Sequence, residues 1–152
     1  MRERSSVLTG TKWAKEQKSS PSLENVTVRA SRIHGRGLFA ATDLPRRRKL
    51  GEVDGELVTL PQARRAVELQ RRIYLVEVSR RYAVDCSNGN CFKYLNHNCR
   101  PNCYLRIYRR RVEVYTLRAI TAGTELTIDY GATPHKDGMA CHCGRSECKG
   151  VL

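Results

Sequence analysis

Asn96-His97-Asn98-Cys99-Arg100-Pro101-Asn102-Cys103 is the stretch on which the reading of this chain turns. Its proline and asparagines impose a sharp, backbone-defined loop, because proline fixes φ and asparagine side chains hydrogen-bond to nearby backbone. It holds two thiols, Cys99 and Cys103, and three more crowd the C-terminus in Cys141-His142-Cys143-Gly144-Arg145-Ser146-Glu147-Cys148. Partners in a C-x-C pair bridge poorly as disulfides for geometric reasons. Three thiolates on a segment with too little core to bury them suit a tetrahedral zinc instead. The fourth ligand must come from elsewhere, and His142, Cys99, Cys103, Cys91 and Cys86 all qualify.

Outward from this loop the chain reads as short β-prone runs separated by Gly, Pro, Asn and Asp. The runs are Val26–Val28, Gly37–Ala40, Lys49–Val53, Tyr82–Asp85, Cys103–Tyr108, Arg111–Leu117 and Glu125–Asp129. Tyr104 to Tyr108 faces Val112 to Thr116 across a basic turn at Arg109-Arg110, which is a hairpin pattern. One stretch has helical texture. Thr59 caps it, Pro61 sits in its first turn, and Ala63, Ala66, Val67 and Gln70 follow at 3- and 4-residue steps. The expected architecture is mostly β with little helix and no internal repeat. Residues 1–25 read as a flexible polar tail, residues 26–135 as the folded body and residues 136–152 as a zinc-binding segment.

The chain has 152 residues and a net charge of +13, one domain's length with a strong excess of base. Arginines cluster at Arg46-Arg47-Arg48, Arg64-Arg65, Arg71-Arg72, Arg80-Arg81 and Arg109-Arg110-Arg111. Such a field attracts polyanions, DNA among them, but names none, and no DNA-reading motif accompanies it. No apolar run reaches the roughly 18 residues of a membrane span, and Met1 to Ser22 lacks a signal-peptide core. The expectation is an intracellular monomer without a membrane partner.

Two further segments carry weight. Gly35-Arg36-Gly37 alone is a tight turn, and without a third glycine or a strand–helix context it is no dinucleotide fingerprint. Gly123-Thr124-Glu125-Leu126-Thr127-Ile128-Asp129-Tyr130-Gly131 alone is a turn and a strand with an aromatic end. In this order and spacing, however, the glycine pair, the Asn96–Cys103 loop, the Glu125–Gly131 segment and the C-x-C-x4-C tail resemble the SET domain of protein-lysine methyltransferases. The resemblance runs from about Val26 to Leu152 and includes the cysteine-rich post-SET tail.

That resemblance implies a SET fold of several short sheets with a knot-like crossing, in which the segment holding Asn96 threads under the strand ending at Tyr130. It implies S-adenosylmethionine as methyl donor, held by Gly35, Arg36 and Gly37 and by Asn96 and His97, with Tyr74 bordering the same pocket. Tyr130 takes the place of the catalytic tyrosine. Cys99 becomes the fourth zinc ligand beside Cys141, Cys143 and Cys148, so that zinc latches the tail to the Asn96 loop. Cys86, Cys91 and Cys103 are left as core residues. The implied substrate is a protein lysine, a histone tail foremost, in nucleus or chromatin. The sequence departs from the family pattern at Val53 and Ile128, where channel aromatics are usual, at Arg47, where glycine is usual, and at Lys93, where arginine is usual. Losing two aromatics implies a wider lysine channel, looser desolvation of the amine, a shift in the number of methyls added, or weak or lost activity. The rival reading is a non-catalytic SET-like module that holds nucleic acid or chromatin through its basic face.

Overall fold

The protein is described here from a computed structural model, which covers residues 23–69, 74–131 and 138–152. The expected tail, Gln70 as a helix position and the expected boundary at 135/136 therefore lie outside the described residues, apart from 23–25, which form a 3₁₀ turn.

The order is β1 (Val26–Ala30), β2 (Arg36–Ala40), β3 (Lys49–Val53), β4 (Glu56–Thr59), α1 (Leu60–Leu69), β5 (Leu75–Glu77), β6 (Tyr82–Asp85), β7 (Asn96–His97), β8 (Cys103–Tyr108), β9 (Arg111–Thr116) and β10 (Glu125–Ile128). A second 3₁₀ turn, Cys91–Tyr94, precedes β7 and is capped by Asn90, whose side chain accepts from the Phe92 N–H. The strands form three small sheets, ordered β1-β2-β10-β7, β3-β9-β8 and β4-β6-β5. No helix among the described residues is long and apolar enough to cross a membrane.

Most pairings are antiparallel, but β7 runs parallel to β10, with Asn96 opposite Thr127 and His97 opposite Ile128. This pairing lays the Asn96 loop against the strand that leads to Tyr130. Asn102 fixes it there: its Nδ2 donates to the Glu125 carbonyl at 2.7 Å and its Oδ1 accepts from the Thr127 N–H at 2.8 Å. A buried amide satisfied at both ends resists displacement, since releasing either end strands a polar group.

The main core lies between the first two sheets. Leu38 and Leu126 face each other as a cross-strand pair and are fully buried, together with Val114 and Cys103. A second, smaller cluster of Val84, Cys86 and Val112 joins the β4-β6-β5 sheet to β9. Cys86 and Cys103 sit here as small apolar residues, and burial pushes both thiols up to about 12. Cys91 is half-buried against the main core.

Helix α1 begins with the return half of a capping box, in which the third helical side chain reaches back to Thr59. The Gln62 carboxamide oxygen accepts from both the Thr59 N–H (2.9 Å) and the Thr59 hydroxyl (2.8 Å). Ala63 is buried and Ala66 and Val67 are half-buried on the inner face. The β8–β9 hairpin turns at Arg109 and Arg110, both with positive φ (49° and 63°), as a two-residue type I′ connection requires. Arg47 is likewise left-handed, at φ 61°, in a turn held by buried Thr116. The Thr116 hydroxyl donates to the Pro45 carbonyl at 2.6 Å and accepts from the Arg48 N–H at 2.9 Å.

Candidate active site and metal centre

A cleft of about 480 Å³ opens between the first and third sheets, within the size range of small-molecule sites. Arg36, Tyr74, Asn96, His97 and Tyr130 all line it, so the fold gathers five of the expected site residues from four separate segments. Its apolar wall comes from Val53, Leu105 and Ile128, with Ala63 and Val67 from α1 and Met139 and Leu152 from the C-terminal segment.

Gly35 and Gly37 do not line the cleft, and their roles differ. Gly35 has φ 49° and makes the turn. Gly37 is buried, and a Cβ there would collide with the Glu125 carboxylate. That carboxylate accepts from the Ser31 hydroxyl (2.7 and 3.0 Å) and from Asn96 Nδ2 (2.8 Å). Asn96 Nδ2 also faces the His34 and Arg36 carbonyls at 3.2 and 3.0 Å. The Asn96 amide thus anchors the backbone of the glycine loop, and Glu125 anchors Asn96. Sequence reasoning assigned no role to Ser31 or Glu125. The signal available for Glu125 was its place at the head of the Glu125–Gly131 segment.

His97 is 4% exposed and both ring nitrogens are engaged within the protein. Nδ1 accepts from the Tyr130 N–H at 3.1 Å, and Nε2 lies 3.3 Å from Cys99 Sγ. With Nδ1 accepting, the ring proton belongs on Nε2, facing the sulfur. Burial lowers the His97 pKa, outweighing the nearby Asp129 carboxylate, so the imidazole is held neutral. His97 is in this way a rigid spacer between the cysteine cluster and Tyr130.

Tyr130 as a whole residue is 40% exposed, but its hydroxyl donates to the Leu95 carbonyl at 2.8 Å. Burial, with Tyr74 and Glu125 near, raises its pKa to about 12. It remains a phenol throughout the physiological range, able to donate or accept a hydrogen bond but unsuited to act as a base.

Cys99, Cys141, Cys143 and Cys148 place their four sulfurs within 4.8 Å of one another. Cys99 lies 3.7 Å from Cys141 and 4.0 Å from Cys148. A tetrahedron with Zn–S bonds of about 2.3 Å has edges of roughly 3.8 Å, so the donor set fits zinc in number, chemistry and spacing. Among the described residues it is the one group of side chains so arranged. His142, exposed and lining the cleft, is not part of it. Backbone bonds close the segment: Met139 and Leu152 exchange N–H···O=C bonds at 3.2 and 2.9 Å, and the Cys141 N–H donates to the Gly150 carbonyl at 2.9 Å. The segment thereby presents Met139, Ala140 and Cys141 to the cleft.

A mostly β fold with the Asn96 loop paired to β10, a cleft lined by Tyr130 and a cysteine cluster joining that loop to the C-terminal segment defines a class, and the SET domain family model matches residues 35–131. The chain belongs to the SET domain family. It is 33% identical over 136 residues to the histone-lysine N-methyltransferase trithorax of Drosophila virilis, covering 84% of this chain and 4% of that protein. It is 35% identical over 132 residues to a histone-lysine N-methyltransferase, H3 lysine-4 specific, of Schizosaccharomyces pombe, covering 80% of this chain and 14% of the relative. A histone-lysine N-methyltransferase, H3 lysine-36 specific, of Aspergillus fumigatus matches at 33% over 139 residues, 84% of this chain and 14% of that one. The chain therefore spans only a small part of these relatives, and relatives at similar identity differ in the lysine their names specify.

Proposed function

We propose that this domain is a protein-lysine N-methyltransferase that uses S-adenosylmethionine and acts on a histone or other chromatin protein in the nucleus. The inward-turned Tyr130 hydroxyl beside the Leu95 carbonyl, in the lining of the cleft, carries the reading. Relatives named as histone-lysine N-methyltransferases support it.

S-adenosylmethionine supplies an electrophilic methyl on a sulfonium. Arg36, Tyr74 and Asn96 line the part of the cleft where such a donor would lie, with Gly35 and Gly37 shaping the loop behind Arg36. The Tyr130 oxygen and the Leu95 carbonyl lie 2.8 Å apart, and two oxygens so close together can hold a polarised methyl in line and stabilise charge as it moves. The incoming lysine has to be neutral, and free lysine titrates near about 10.4. Val53, Leu105 and Ile128 give it a dry wall that disfavours the ammonium form. Aliphatic side chains at Val53 and Ile128 leave room there for an amine already carrying methyl groups. Zinc at Cys99, Cys141, Cys143 and Cys148 would be structural, fixing the C-terminal segment against the cleft with no open coordination position.

The test is transfer of labelled methyl to histone or nucleosome substrate. Tyr130→Phe should lower transfer by about 10²-fold or more while S-adenosylmethionine still binds. Transfer unchanged in Tyr130→Phe would remove the assignment. Because Tyr130 stays protonated to about 12, the rate should climb with pH up to at least pH 9 as the substrate amine deprotonates.

A further inference from the structure

Two turns distant in sequence meet at one end of the molecule. The β8–β9 turn carries Arg109 and Arg110, and the β5–β6 turn carries Arg80 and Arg81. Tyr82, the first residue of β6, joins them, because the Arg110 guanidinium lies 4.8 Å from the centre of its ring. Arg109 lies 5.3 Å from the centre of the Tyr108 ring. All four arginines are exposed, and none forms an ion pair or side-chain hydrogen bond among the described residues. The basic groups on the open face of the β3-β9-β8 sheet are different. Lys49 pairs with Glu52 and Glu113, Arg111 with Glu52, and Arg106 with Glu113. Arg46, Arg47, Arg48, Arg64 and Arg65 are also exposed and without an ion pair, but of these clusters only the hairpin tips lay guanidinium groups over aromatic rings among the described residues.

The backbone sharpens the point. Both central residues of the β8–β9 turn have positive φ, a conformation that favours Asn-Gly, yet both are arginine. A strained backbone that keeps charge in place is a pointer to function. Guanidinium groups already laid over aromatic rings lose less freedom when they bind, and their planar forks match phosphate.

We infer that the joined tips carrying Arg80, Arg81, Arg109 and Arg110 form a docking surface for the phosphate backbone of duplex DNA. The choice of DNA over an acidic protein rests on the proposed function. A chromatin substrate comes with DNA, and a basic histone tail would itself be repelled by a chain of net charge +13. Four arginines and no base-reading element make the contact independent of sequence and steeply salt-dependent.

The experiment is fluorescence anisotropy of a short labelled duplex of mixed sequence with the full chain, over a series of salt concentrations. Arg109→Asn/Arg110→Gly removes two charges while giving the turn the residues it favours, so it should melt no lower than the parent. Its DNA affinity should fall about tenfold and its log–log salt slope by about two. Arg46→Gln/Arg48→Gln removes the same charge at the opposite end of the β3-β9-β8 sheet and should weaken binding by less than about threefold. Absence of binding, or equal loss in the two variants, overturns the surface. Tip-dependent binding of polyglutamate in preference to the duplex overturns the assignment to DNA. No methyl transfer is read, so failure here leaves the proposed activity standing, and failed transfer with intact tip-dependent binding sinks that activity alone.

Discussion

Asn96, Asn102 and His97 were legible as a motif, but the hydrogen bonds that give each its task were not. Sequence spacing shows that three polar residues recur in a loop. It does not show that Asn102 clasps β10, that Asn96 holds the glycine loop or that His97 Nδ1 accepts from the Tyr130 N–H, since these partners lie 23 to 62 positions away. Tyr130 was legible as a position, and its inward hydroxyl was not, because a strand-end tyrosine has no periodicity to mark its direction. Arg47 shows the reverse. The resemblance marked it as standing where glycine is usual, and its φ of 61° is the reason glycine suits the position. Left-handed backbone costs a non-glycine residue about 1–2 kcal/mol, against roughly 0.5–1 kcal/mol for glycine's extra freedom when unfolded. Arg47→Gly should therefore stabilise the domain by up to about 1 kcal/mol, a rise of a few degrees in thermal melting. A lower melting temperature would mean that the Arg47 side chain makes a contact outweighing its backbone strain.

Among the elements, β3, β6 and β8 fall where the sequence placed them, each a β-prone run bounded by turn residues, as does the start of α1 after Thr59. β4, β5 and β7 escaped. β4 runs straight into α1, and Thr59 is both its last residue and the helix cap. β5 has three residues and β7 two, too few for a period of two to register. The β3–β9 pair sets Glu52 directly opposite Glu113, a repulsive arrangement that Lys49 bridges at 2.6 Å to each. Both carboxyls are held below their ordinary value, Glu113 chiefly by the Lys49 hydrogen bond and Glu52 by those from Lys49 and Arg111, which outweigh its burial. A depressed carboxyl pKa contributes stability that is present above the ordinary value of 4.5 and lost as pH falls through the folded-state value. Lys49→Met should therefore destabilise the protein at pH 7 and much less at pH 3, read by denaturant melts; an equal loss at both would show that packing, not charge, is at stake. At the C-terminus, chelation or Cys148→Ser should unlatch residues 138–152 and reduce methyl transfer at least tenfold while far-ultraviolet circular dichroism of the β core persists. Full activity without metal would refute the latch.

For the whole molecule, periodicity yielded a mostly β chain but could not say how its strands close into three sheets, since the parallel β7–β10 pairing joins residues about 31 positions apart that share no pattern. The resemblance supplied that topology, and the structure supplies its physical basis in buried Leu38, Leu126 and Asn102. The net charge of +13 was legible from composition, whereas the pairing of Lys49, Arg106 and Arg111 on the β3-β9-β8 sheet and the stacking of Arg109 and Arg110 over tyrosines required the fold. The central claim is that the cleft lined by Tyr130 methylates a lysine. Its most direct test is mass spectrometry of nucleosomes incubated with this chain and S-adenosylmethionine. The account expects methyl groups on a lysine side chain, present with the parent protein and missing with Tyr130→Phe. Nucleosomes that gain no methyl group while the chain demonstrably binds the donor would contradict it.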